Sequence, residues 1–389
     1  MTNNDSKIDS KEILTKLKEK LSFEKAYSKV LSSMCTPPLD ISRAIAAEYA
    51  EINLGDPGLF PETKKMELEV LEQIAQLLHA PLKWTGSITS GGSESNLLGC
   101  WVARNWSRKK KGIKNGTLLL PESAHASFEK SIDILNIKSK WIPLNSKNQI
   151  DLEILKEEID ETTIGIVGIA GTTGTGSCDD IRALSEITLE NNTYLHVDAA
   201  HGGLIFPFLD QIGRVTPSFD FGLTGVKSIT LDTHKIMGSL IPGGSIIYRS
   251  EEYSETIAKG ISYLADSTTK QITITGTRPG NSVIASWVLF KYYGTDFLLE
   301  RVRKSLELTD YLIKKMKEIP AINLSFDPII NIIGFTNDKM TNEELVSKLK
   351  KYGWDLSIFK KWARMVVMPH FSIEMIDKYL KDLKTILME

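Results

Sequence analysis

Apolar residues recur along this chain at two spacings, and the alternation between them sets the expected fold. Met66, Leu68, Val70, Leu71, Ile74, Leu77 and Leu78 fall at helical intervals and predict a helix over 62–79. Shorter apolar runs at 117–121, 140–144, 163–170 and 194–197 read as strands. The run at 163–170 is almost unbroken, as expected of a central parallel strand covered on both faces. Helices are expected between these runs at 151–160, with an aspartate N-cap, and at 180–190. Residues 219–222 and 228–231 follow on either side of a short crossing, and 242–248 read as a turn and a returning antiparallel strand. Such alternation predicts a doubly wound α/β layer.

Both ends of the chain have a different pattern. Residues 11–30 read as a charged amphipathic helix and 40–51 as a second helix, together an N-terminal arm over 1–52. Beyond the layer, helices at 281–294 and 296–317 lead to strand, helix, strand, helix at 329–335, 341–352, 363–368 and 373–387. The division expected is therefore an arm (1–52), a large domain (53–295) and a smaller α+β domain (296–389) reached through a linking helix. Two stretches break both periodicities. Glycine and proline forbid a helix at 53–61, and 262–269 loses its pattern and reads as a mobile loop.

Polar motifs stand where the apolar runs stop. The sequence Gly86-Ser87-Ile88-Thr89-Ser90-Gly91-Gly92-Ser93 turns from a strand into a helix start, where unpaired amides favour a phosphate. Glycine, threonine and serine fill 171–177, and His125 lies just past the strand at 117–121, at the edge where α/β sheets gather ligands. Asp198 ends the run at 194–197. Lys235 follows Asp232-Thr233-His234 at the end of another run. An amine to take up an aldehyde and a carboxylate to keep a pyridine nitrogen protonated are the two electronic requirements of pyridoxal phosphate.

Composition narrows the function classes. In 389 residues, 47 basic side chains against 49 acidic ones leave a net charge of −2, which implies no general attraction to nucleic acid or anionic membrane. The basic run Arg108-Lys109-Lys110-Lys111 reads as the solvated C-terminal end of a helix. Three widely spaced cysteines, Cys35, Cys100 and Cys178, form neither a disulfide framework nor a zinc site and suit a reducing compartment. No apolar run approaches membrane-spanning length, so a cytoplasmic protein is expected.

The stretches NLGDPGLF (53–60), IVGIAGTT (166–173), His196 to Gly203 and Arg364 to His370 resemble the group II pyridoxal-phosphate amino-acid decarboxylases. Within that group the similarity is greatest to the archaeal L-tyrosine/L-aspartate decarboxylases. The resemblance implies a fold-type I homodimer with active sites at the subunit interface. It implies that Lys235 holds the aldehyde of pyridoxal 5'-phosphate, that Asp198 meets the ring nitrogen and that His125 stacks on the ring. Gly92, Ser93, Ser228 and His234 would hold the phosphate, and Thr173 and Ala200 would line the ring. Arg364 matches an arginine that contacts a substrate carboxylate, either the α-carboxylate or a side-chain acid. Tyr263 matches a mobile-loop tyrosine that protonates the product. Two positions depart from the pattern, with Thr233 where many relatives have proline and His201 where an aromatic is usual. The expected substrate is L-aspartate, giving β-alanine for coenzyme A, or L-tyrosine, giving tyramine for methanofuran-type synthesis, with L-glutamate also open. Another fold-type I lyase, resembling sphingosine-phosphate lyase or cysteine desulfurase, and a non-catalytic homologue stand as alternatives.

Overall fold

The computed structural model describes residues 9–22, 24, 27–266, 268 and 270–388. Seven strands form the large sheet: β1 (Thr85–Thr89), β2 (Thr117–Pro121), β3 (Lys138–Ile142), β4 (Thr163–Ile169), β5 (Tyr194–Asp198), β6 (Val226–Asp232) and β7 (Gly244–Tyr248). Their order is β1-β7-β6-β5-β4-β2-β3. Pairing is parallel from β3 through β6, while β7 runs antiparallel to both β6 and β1. β2 and β4 are buried at every position, which explains their unbroken apolar sequence. The helices fit the same logic. Asp151 caps Leu152–Glu158 by accepting from the N–H groups of Glu153 and Ile154, and Asp180 caps Ile181–Glu190 through Ala183.

The small domain is a four-stranded antiparallel sheet, with β8 (Lys259–Gly260) and β9 (Lys270–Gln271) forming a separate ribbon in the large domain. Its strands are β10 (Ile322–Leu324), β11 (Ile332–Asn337), β12 (Ser357–Phe359) and β13 (Trp362–Val366). β10 and β12 were not expected; three residues each are too few to show a period. Gly294–Lys317 is the long linking helix.

The expected helix over 11–30 is corrected. The helix is Ser10–Leu21, capped by Asp9, and Val30 instead bridges Asp355 in the small domain. Leu31 donates to Asp355 at 2.8 Å and accepts from Val366 at 2.8 Å. Long-range backbone pairing overrides the local helical period here. Part of that expected helix, and two positions of the 262–269 loop, lie outside the described residues.

Candidate active site

The parallel strands deliver their C-terminal ends to one edge of the large sheet, and the polar motifs meet there around a cavity of about 310 Å³. Lys235, Asp198, His125, Gly92, Ser93, Thr173, Ala200 and His234 all line it, joined by Asp232, Asn96 and His201. Residues as far apart in the chain as Gly92 and Lys235 thus share one hollow, because strand ends and the helix start after β1 converge there.

The turn after β1 makes an anion cradle. Gly91 is the N-cap of the helix Gly92–Lys111 and has φ +115, a conformation suited to glycine. A Cβ on Gly92 would lie 3.0 Å from Asp232 Oδ2 and 3.1 Å from the Ala200 Cβ, so its hydrogen keeps the hollow open. The first N–H groups of this helix have no carbonyl one turn back. His234 closes the opposite side, with Nδ1 donating to the Gly243 carbonyl at 2.7 Å. Burial works against protonation of His234, but Cys35, Asp232 and that carbonyl outweigh it and raise its pKa.

Lys235 Nζ lies 3.1 Å from Asp232 Oδ2, and the second oxygen of Asp232 is buried without a protein partner. Asp198 is fixed at both oxygens. Oδ1 accepts from the Ala200 N–H at 3.0 Å and Oδ2 from Asn96 Nδ2 at 2.8 Å. His125 Nδ1 accepts from the Ser127 N–H at 3.1 Å, which leaves its Nε2 bearing the proton. His201 Nε2 donates to Asn331 Oδ1 at 2.9 Å, since the Asn331 amide nitrogen is already committed to the Val367 carbonyl at 3.1 Å. Burial, with the positive charges of Lys235 and Arg364 nearby, brings the His201 pKa down to about 3, so its imidazole is neutral.

Three expected residues do not line the cavity. Ser228 lies near the start of β6, with its Oγ 2.7 Å from His196 Nδ1 inside the layer. Its expected place on the phosphate is therefore corrected: four strand positions separate it from Asp232, at about 3.3 Å each. Arg364, on β13, donates through Nη1 to the Thr173 carbonyl at 2.7 Å and through Nη2 to the Ser32 carbonyl at 2.9 Å. It stands behind the cavity wall. Tyr263 is 86% exposed, on the turn between β8 and β9.

These residues fit pyridoxal phosphate: a lysine amine inside a hollow, a fixed carboxylate across from it, a glycine-opened helix start and an orphaned buried oxygen beside the amine. The description "Pyridoxal-dependent decarboxylase conserved domain" matches residues 47–337. The chain belongs to this family. It is a pyridoxal-phosphate-dependent amino-acid decarboxylase. The L-aspartate/L-glutamate decarboxylase of Pyrococcus horikoshii is 42% identical over 96% of this chain and 95% of its own. The L-aspartate decarboxylase of Thermococcus kodakarensis is also 42% identical, covering 97% and 96%. A probable L-tyrosine/L-aspartate decarboxylase of Methanosphaera stadtmanae is 39% identical over 92% of each chain. Among solved structures, Lactobacillus brevis glutamate decarboxylase superposes with a TM-score of 0.90 at 23% identity, over 99% of this chain and 93% of that one. That likeness shows the fold.

The cavity and its surroundings also hold residues that the sequence did not single out. Asp232 stands in the motif that ends at Lys235, and Asn96 lies one turn into the helix that starts at Gly92. His196 had a usable signal: it stands two residues before Asp198, so the strand alternation puts both on one face.

Proposed function

We propose that this decarboxylase acts on L-aspartate, releasing carbon dioxide and β-alanine. The observation that supports this reading is an uncompensated positive charge. Arg364 is buried, donates only to two backbone carbonyls, and makes no ion pair among the described residues. Its Nε has no partner among the described residues, and burial lowers its pKa. Such a cation behind Thr173 favours a substrate with a second carboxylate. From behind the wall its charge would attract the side-chain acid rather than the departing carboxylate, because holding the latter would stabilise the ground state and slow the reaction. The names of the relatives at 42% identity agree with this substrate.

When bound, the cofactor supplies an electron sink for the charge left at Cα as carbon dioxide departs. Lys235 would hold the cofactor through its amine. Asp232 orients that amine. Asp198 keeps a proton on the ring nitrogen, because a fixed carboxylate stabilises the pyridinium. Gly92 and Ser93, at a helix start, and His234 would hold the phosphate with N–H donors, while Thr173, Ala200 and His125 would confine the ring. Tyr263 gives a proton to Cα once its turn is folded over a site.

In this reading the enzyme is a cytoplasmic homodimer whose product enters coenzyme A synthesis. The arm supports a dimer: Ile13, Leu14, Leu17 and Leu21 make one face of its helix and all are exposed. No helix among the described residues is long and apolar enough to cross a membrane. The test is direct. Purified protein with pyridoxal phosphate is given L-aspartate, L-glutamate and L-tyrosine separately, and carbon dioxide and amine are measured. L-Aspartate should give the highest kcat/KM; a preference for L-tyrosine would overturn the substrate assignment.

A further inference from the structure

Behind Asp198 lies a line of side chains that the reaction as described does not use. Asn96 Nδ2 donates to Asp198 Oδ2 at 2.8 Å. Asn96 Oδ1 lies 3.1 Å from His196 Nε2, and His196 Nδ1 lies 2.7 Å from Ser228 Oγ. A longer contact of 3.4 Å joins the same Nε2 to Thr230 Oγ1. Asn96, His196 and Ser228 are all fully enclosed.

The polarity of this line is fixed. An ionised carboxylate only accepts, so the Asn96 nitrogen faces Asp198 and its oxygen faces His196. That oxygen needs a donor, so the His196 proton sits on Nε2. Nδ1 then accepts from the Ser228 hydroxyl. Burial brings the His196 pKa down to about 4, against the pull of Asp198, so the ring is neutral and has one proton to place. Each donor in the line therefore points towards Asp198, and hydrogen bonds donated to a carboxylate favour its charged form.

The helix has a glycine where the imidazole stands. A Cβ on Gly99 would meet His196 Cε1 and Nδ1 at 2.5 Å, so this turn admits no larger residue while the ring is in place. Glycine inside a helix costs about 1 kcal/mol relative to alanine.

We propose that Asn96 and His196 are positioning residues that hold Asp198 as a fixed, ionised acceptor for the ring nitrogen of the cofactor. This rests on the reading that Asp198 meets that nitrogen. Ser228 contributes by holding the imidazole tautomer, and so serves the cofactor from inside the sheet.

The test uses full-length protein loaded with pyridoxal phosphate labelled with nitrogen-15 in the ring, whose chemical shift reports protonation of that atom. His196→Leu removes the donor to Asn96, and His196→Gln restores one near Nε2. Asn96→Asp keeps size and sets a second carboxylate against Asp198; it is scored if the leucine variant fails to fold. His196→Leu and Asn96→Asp should move the resonance towards the unprotonated value and raise the cofactor Kd roughly tenfold, the usual scale for a lost hydrogen bond to a charge. His196→Gln should recover most of both. A protonated ring nitrogen and a Kd within about twofold of wild type in folded Asn96→Asp protein would overturn the proposal. Asp198→Asn is the control. If it too leaves the resonance unmoved, the reading of Asp198 itself fails; if it moves the resonance while Asn96→Asp does not, only the positioning role fails.

Discussion

At the scale of single residues, the site depends on charges fixed in place before any substrate arrives. Lys235 sits 3.1 Å from Asp232, and Asp198 has both oxygens engaged. Lys235→Ala is expected to remove the visible absorbance of bound cofactor and to cut turnover by roughly 10³-fold or more. Absorbance scans and amine release check this together, and retained decarboxylation would remove Lys235 from its role. Tyr263→Phe should leave cofactor affinity unchanged while slowing amine formation by roughly 10²-fold, since a general acid contributes on that scale. A mutant with normal rate and product would exclude Tyr263. Arg364→Lys should lower kcat/KM for L-aspartate at least about tenfold, because an ammonium cannot reproduce the forked geometry of a guanidinium. The substrate panel given above measures it. Lys235 and Asp198 were legible in the sequence because each ends an apolar strand. Ser228 was misplaced because its motif and its depth in the sheet are separate facts, and only the second decides what it touches.

At the scale of elements, close approach explains several choices of residue. Gly244 opens β7 where a Cβ would lie 2.5 Å from the Gly91 Cα, so the antiparallel strand and the anion cradle meet with no side chain between them. Gly99 plays the same part between the helix Gly92–Lys111 and β5. Gly99→Ala is expected to destabilise the fold by about 1–3 kcal/mol, the usual range for overpacking, although alanine is the better helix former. Chemical denaturation checks it, and a gain in stability would mean that His196 has room to move. The long strands and capped helices were readable because burial on both faces and N-capping leave local marks. β10 and the pairing of Val30 with Asp355 were not, because they rest on partners more than ten residues away, and β12 was not, because three residues are too few to show a period.

At the scale of the whole molecule, one buried charge cluster ties the Gly/Pro loop at 53–61 to the core. Glu67 is fully buried and paired with Arg278 at 2.9 Å and Lys64 at 2.7 Å. Burial alone would raise its pKa, but the two cations overcome this and lower it from 4.5 to about 2. A carboxylate depressed in the folded state stabilises fully above its unfolded pKa, and that stability is lost as pH falls through the folded value. Stability should therefore decline between about pH 4.5 and 2, and Glu67→Gln should flatten that decline while costing roughly 3 kcal/mol at neutral pH. Thermal unfolding across this range checks both. From the sequence alone came the class of cofactor, the α/β layer and the residues at its strand ends, because side-chain chemistry and hydrophobic period are local properties. Only the tertiary structure decided which carboxylate faces Lys235, which donors hold Asp198 and that Arg364 has no counter-ion among the described residues. Hydrogen-bond partners and uncompensated charge depend on what lies across a gap in space, and no spacing along the chain encodes that distance.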